Sequence, residues 1–65
     1  MNFSIGDKVH PLTFIYVSNK EMMETYEYGT VTQIIMREDG HHLVVVKRNR
    51  DGKTFKANEY FWEKA

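Results

Sequence analysis

The sequence predicts an all-β domain: a short antiparallel sheet bent strongly enough to roll into a small barrel. Three observations point there. Runs rich in β-branched and aromatic residues recur along the chain, and all are short. Turn chemistry separates them at Arg37-Glu38-Asp39-Gly40 and Asn49-Arg50-Asp51-Gly52. No segment carries the apolar stripe of an amphipathic helix.

Taken in order, Phe3, Ile5 and Val9 mark the entry, and Ile5-Gly6-Asp7-Lys8-Val9 predicts a turn feeding a first strand. Pro11 has no N–H to donate, so its segment suits an edge or a bend. Leu12 to Val17 favours extended chain. Residues 18–27 have the only helix-favouring composition, but ten residues without an apolar face predict a long loop with at most one helical turn. Tyr28 to Met36 predicts a strand whose apolar positions change phase between Val31 and Ile34, the mark of a bulge. Gly40 is available for positive φ in the turn that follows. Leu43-Val44-Val45-Val46, four apolar residues in succession within 41–47, predict a strand covered on both sides. Asp51-Gly52 signals a hairpin. Lys53 to Ala57 alternates at period two, with Phe55 and Ala57 facing inward. Asn58-Glu59-Tyr60 suits a single 3₁₀ turn before a last strand, Phe61-Trp62-Glu63. Rolling these five strands together hides the edges of so small a sheet.

Sixty-five residues allow one domain, residues 1–65. By size scaling its folded surface is about 4,300 Å², with roughly 60% of the unfolded chain's surface buried. There is no cysteine, so neither a disulfide nor a thiolate ligand supports it. A composition 42% hydrophobic and 14% aromatic is too apolar for a disordered tail. No apolar run approaches the roughly 20 residues of a membrane-spanning helix, no secretory signal opens the chain, and the cytosol is the default location.

Nine basic and nine acidic residues cancel, which removes any overall pull toward nucleic acid or an anionic membrane. Their positions are uneven: Lys47, Arg48, Arg50, Lys53 and Lys56 cluster, and so do Glu21, Glu24 and Glu27. Such runs are ordinarily solvated faces; the alternative is a dipolar molecule with one basic and one acidic edge.

The sequence holds little catalytic chemistry. His41 and His42 are adjacent on a strand and point to opposite faces, so they share no metal ion, and His10 alone adds too few ligands. Ser4 and Ser18 have no identifiable base and orienting acid. The four glycines are isolated and form no phosphate-cradling loop. The expectation is a non-enzyme without metal or cofactor.

Several of these stretches together resemble a small bacterial or phage SH3-like barrel of the KOW/Tudor-like kind. They are Ile5-Gly6-Asp7-Lys8-Val9, Tyr28-Gly29-Thr30-Val31, Leu43–Val46, and Asp51-Gly52-Lys53-Thr54-Phe55 leading to Asn58-Glu59-Tyr60. The resemblance covers nearly the whole chain and implies a five-stranded antiparallel barrel with a long first loop and a short 3₁₀ turn before the last strand. The stretch from Gly6 to Gly29 is longer than a compact KOW unit has, which implies an elaborated loop.

Binding is the function class left. Such barrels commonly bind between the long loop and the 3₁₀ turn, which implies that Tyr16, Tyr26, Tyr60 and Trp62 lie near one another. With Phe55, Phe61 and Tyr28 assigned to the core, those four remain for a partner, and Met22 and Met23 add adaptable apolar surface. The leading expectation is therefore a protein-interaction module using Tyr16, Met22, Met23, Tyr26, Tyr60 and Trp62, of a kind phages and prophages use to modulate a host protein. The alternative is nucleic-acid binding through the hairpin 47–56, with Lys47, Arg48, Arg50, Lys53 and Lys56 on phosphates. A homodimer burying Trp62 or the Pro11 edge is a third arrangement.

Overall fold

A computed structural model of the chain describes residues 2–16 and 21–65. Among the described residues seven strands form: β1 (Lys8–Pro11), β2 (Ile15–Tyr16), β3 (Met22–Met23), β4 (Gly29–Met36), β5 (His42–Arg48), β6 (Thr54–Asn58) and β7 (Trp62–Lys64). A 3₁₀ turn over Glu59–Phe61 precedes β7. Five strands make one antiparallel sheet in the order β6-β5-β4-β1-β7, and β2 and β3 make a separate pair. The fold is all-β as expected, with two more strands than the sequence predicts. Among the described residues no helix is long and apolar enough to cross a membrane.

The local signals explain most elements. The phase change in β4 is a bulge: its register against β5 shifts between Val31 and Gln33, which lets Val31 and Ile34 both turn toward the core. At the next hairpin the Arg48 N–H donates to the Lys53 carbonyl at 2.8 Å, and Gly52 sits at φ 76°. That left-handed backbone is costly for any residue with a Cβ. Asn58 caps the 3₁₀ turn by accepting the Tyr60 N–H at 3.2 Å. Pro11 ends β1 and pairs only with Trp62 of β7, beyond the last partner that β4 offers, so its missing donor breaks no bond to β4.

The core is formed by Val9, Ile15, Met23, Val31, Val44, Val46, Phe55 and Trp62, all buried. Val45 is buried as well, on the opposite side of β5 from Val44 and Val46, in line with a strand covered on both faces.

Two expectations need correction. The long loop is partly structured: Met22 and Met23 pair with Tyr16 and Ile15, and a turn rather than a helical turn follows, with the Glu27 N–H donating to the Glu24 carbonyl at 3.0 Å. The part of that loop at 18–20, and Val17 of the preceding extended run, lie outside the described residues. Nor does backbone pairing close the sheet into a ring, since β6 and β7 are its two edges. A side chain spans them instead, where the Trp62 indole N–H donates to the Ala57 carbonyl at 3.3 Å.

Candidate binding surface

The charge runs come first, because they decide which side chains are free. Period-two alternation places Val44, Val46 and Arg48 on one face of β5, so the strand turns a guanidinium inward with its valines. Arg48 is 1% exposed. Its Nε and Nη2 donate to the two Asp51 oxygens at 2.9 and 2.6 Å. Nη1 donates to the Met22 carbonyl at 3.0 Å and to Glu27 Oε1 at 3.3 Å. Glu21 lies 3.7 Å from Nη2, and the guanidinium stands 4.8 Å from the Phe55 ring centroid. A buried cation needs this many acceptors to offset its lost hydration.

The neighbouring cations are drawn in as well. Arg50 reaches the other Glu27 oxygen at 3.1 Å, and Lys53 pairs with Glu21. The two charge runs therefore neutralise each other and fasten the 21–27 segment to the β5–β6 hairpin, and are neither simple solvated faces nor separate basic and acidic edges. Of the five expected phosphate contacts, Arg48 is inaccessible and Arg50 and Lys53 are paired. Among the described residues no carboxylate lies within ion-pair distance of Lys47 or Lys56.

This network is expected to make the fold acid-sensitive. The hydrogen bonds from Arg48 hold the Asp51 carboxyl well below its ordinary range, and the one from Lys53 lowers Glu21. A carboxylate with a lower pKa folded than unfolded contributes stability above its unfolded value, and loses that contribution as pH falls through the folded one. The urea midpoint is expected to hold from neutrality to about pH 5 and to fall below about pH 4. Asp51→Asn should lower the midpoint at neutral pH and flatten its acid limb. Parallel limbs in the two proteins would contradict the assignment.

The aromatics distribute differently from the expectation. Trp62 and Met23 are buried in the core, and Met22 is half-buried. Phe61 and Tyr28, expected inside, are 45% and 44% exposed. The 3₁₀ turn resets the phase of the chain, so Trp62 rather than Phe61 points inward. Tyr16, Tyr26 and Tyr60 are all exposed, but they do not share a site. Tyr60 packs edge-on to His41 with ring centroids 5.3 Å apart and lines neither of the two depressions described below.

One depression, of about 420 Å³, is lined by Phe14, Tyr16, Leu43 and Phe61, with Arg37 and Lys56 also on its walls. It forms where β2 lies against β6 and the 3₁₀ turn delivers Phe61. Phe14 and Tyr16 meet edge-on, with centroids 6.0 Å apart, and both are more than half exposed. Sequence reasoning missed Phe14 and Phe61 because they come from distant segments; their signal was an aromatic total too large for the core. A second depression, about 360 Å³, is lined by Lys8, Tyr26, Tyr28, Asn49 and Arg50 over the Arg48–Glu27 pair. There the Lys8 ammonium stands 4.7 Å from the Tyr28 ring centroid.

The histidines have carboxylate or ring neighbours. His42 Nδ1 lies 2.9 Å from Glu59 Oε2, which also accepts the His42 backbone N–H at 2.7 Å. These contacts, the backbone N–H foremost, hold the Glu59 carboxyl below its usual range. His10 Nε2 lies 3.2 Å from Glu63. Among the described residues no group of three or more potential ligands is placed to hold a metal ion.

Comparison of the chain with protein-family models, with curated proteins and with solved structures found no match in any of the three.

Proposed function

We propose that the chain is a non-catalytic binding module of SH3-like architecture, which takes an extended segment of a partner protein in the depression between β2, β6 and the 3₁₀ turn. The chain order supports the architecture: a strand, a long first loop, three hairpin-linked strands, a 3₁₀ turn and a last strand. The observation that carries the binding reading is the exposure of Phe14, Tyr16 and Phe61 around one apolar hollow with two cations on its walls. Aromatic rings offer large contact area with few rotatable bonds, so little entropy is lost when a partner settles on them. Arg37 and Lys56 favour a segment with a carboxylate beside its apolar anchor; Arg37 is shared with Asp39 at 3.8 Å, and among the described residues no carboxylate pairs with Lys56. The nucleic-acid reading has less support, because three of its five cations are buried or paired.

The test is selection of binders from a random peptide library, followed by amide-shift mapping on the isotopically labelled protein. The expected result is peptides with an apolar residue next to Asp or Glu, moving residues 14–16, 37, 43 and 56–61. Tyr16→Ala with Phe61→Ala should weaken them at least tenfold, about 1.4 kcal/mol. No enriched peptide, or shifts centred elsewhere, would overturn the proposal. In the same series, labelled DNA and RNA at low salt should bind more weakly than the best peptide, and salt-sensitive binding tighter than that would favour the hairpin 47–56.

A further inference from the structure

The hydrogen-bond parity of β4 reveals a second surface, made of backbone. The Arg37 N–H donates to the His41 carbonyl at 2.9 Å, and the register continues as Met36–His42, Ile35–Leu43, Ile34–Val44 and Gln33–Val45. In an antiparallel ladder alternate pairs exchange hydrogen bonds. Gln33, Ile35 and Arg37 therefore spend their backbone groups on β5, while Ile34 and Met36 direct N–H and C=O to the other side.

On that other side the chain stops short. Val31 donates to the Asp7 carbonyl at 2.9 Å and accepts the Gly6 N–H at 2.8 Å, and β1 pairs with β4 only at Gly29 and Thr30. Among the described residues no strand pairs with the outer side of β4 from Thr32 to Met36. From Tyr28 to Met36 there is no charged residue and no proline to guard an exposed edge, and the one bulge, between Val31 and Gln33, precedes the Ile34–Met36 stretch. Toward its end the exposed side chains are apolar, Met36 at 65% and Ile35 at 37%, while Thr32 and Gln33 before them are exposed and polar.

We propose that this edge pairs antiparallel with the same edge of a second copy of the chain, joining two five-stranded sheets across a two-fold axis. The edge is complementary to itself. Pairing about Ile35 sets Ile34 opposite Met36 of the second copy and Met36 opposite Ile34, the two pairs whose free donors and acceptors can be exchanged. It sets Arg37 opposite Gln33, so no like charges meet. An isologous contact of this kind closes at the dimer and leaves no growing end.

Sedimentation equilibrium from micromolar to millimolar protein tests this directly. The expected result is a reversible rise from the monomer to the dimer mass. Met36→Pro removes an outward N–H without breaking a bond to β5, and should hold the monomer at every concentration. Ile35→Lys, which sets two ammonium groups face to face across the axis, should do the same and is decisive if circular dichroism shows the proline variant unfolded. Tyr26→Ala, in the other depression, should leave the dimer intact. A wild-type chain that stays monomeric throughout would overturn the proposal, and so would a dimer that survives Ile35→Lys with unchanged affinity.

Discussion

Arg48→Ala is expected to leave most of the protein unfolded at room temperature. The argument lies in what the substitution abandons. Glu27 is 10% exposed at its side chain and loses its buried partner; Asp51 loses a two-bond clamp; the Met22 carbonyl loses its donor. Removing one member of a buried ionic cluster costs about 3–5 kcal/mol, and here it leaves Glu27 with the exposed cation Arg50 and Glu21 with the exposed cation Lys53. A core of this size rarely supplies more than about 3–5 kcal/mol in total. Urea titration followed by the fluorescence of the buried Trp62 measures the loss. Arg48→Lys keeps the charge but not the planar fork, and should fall between the wild type and the alanine variant. Arg48→Met, combined with Glu27→Gln and Asp51→Asn, removes the charges together and should recover part of the loss. An Arg48→Ala protein with a wild-type midpoint would show that the cluster adds nothing to stability.

That cluster also shows where the sequence was legible and where it was not. Features written in consecutive residues could be read: the bulge from the phase of Val31 and Ile34, the hairpin from Asp51-Gly52, the 3₁₀ turn from Asn58-Glu59-Tyr60. Each is a local competition between a few backbone conformations. The β2–β3 pair could not be read, since two residues have no period. Arg48 is intermediate. Its place two residues after Val46 already turned it inward, and the glutamates of 21–27 were there to receive it; the prior that a charged residue belongs outside concealed the inference. The aromatic hollow was the least legible feature, because Phe14, Leu43 and Phe61 meet only once β2 has folded over β6.

Gly29→Ala should be the most damaging single-methyl change in the molecule. Gly29 is buried, pairs with Val9 on one side and Arg48 on the other, and has no positive φ to explain it. Space explains it instead. A Cβ at this position would run into the Val46 side chain and would stand 2.9 Å from the Lys47 carbonyl oxygen. The valine methyl belongs to the close-packed core and the carbonyl to the β5 backbone, so neither yields without moving β5, which carries both Val46 and the Arg48 cluster. Overpacking of this kind costs about 1–3 kcal/mol. The better strand propensity of alanine returns only about 0.5–1 kcal/mol. Gly40 is the matched control: nothing lies within 4 Å of its Cβ position, and its φ of +86° makes alanine costly through backbone strain alone. A double-mutant cycle separates the two causes. In a Val46→Ala background the cost of Gly29→Ala should shrink by about 1 kcal/mol, since contacting residues couple, whereas that of Gly40→Ala should be unchanged. If Gly29→Ala costs the same in both backgrounds, the contact with Val46 is not what excludes a side chain at position 29, and the Lys47 carbonyl is left as the barrier.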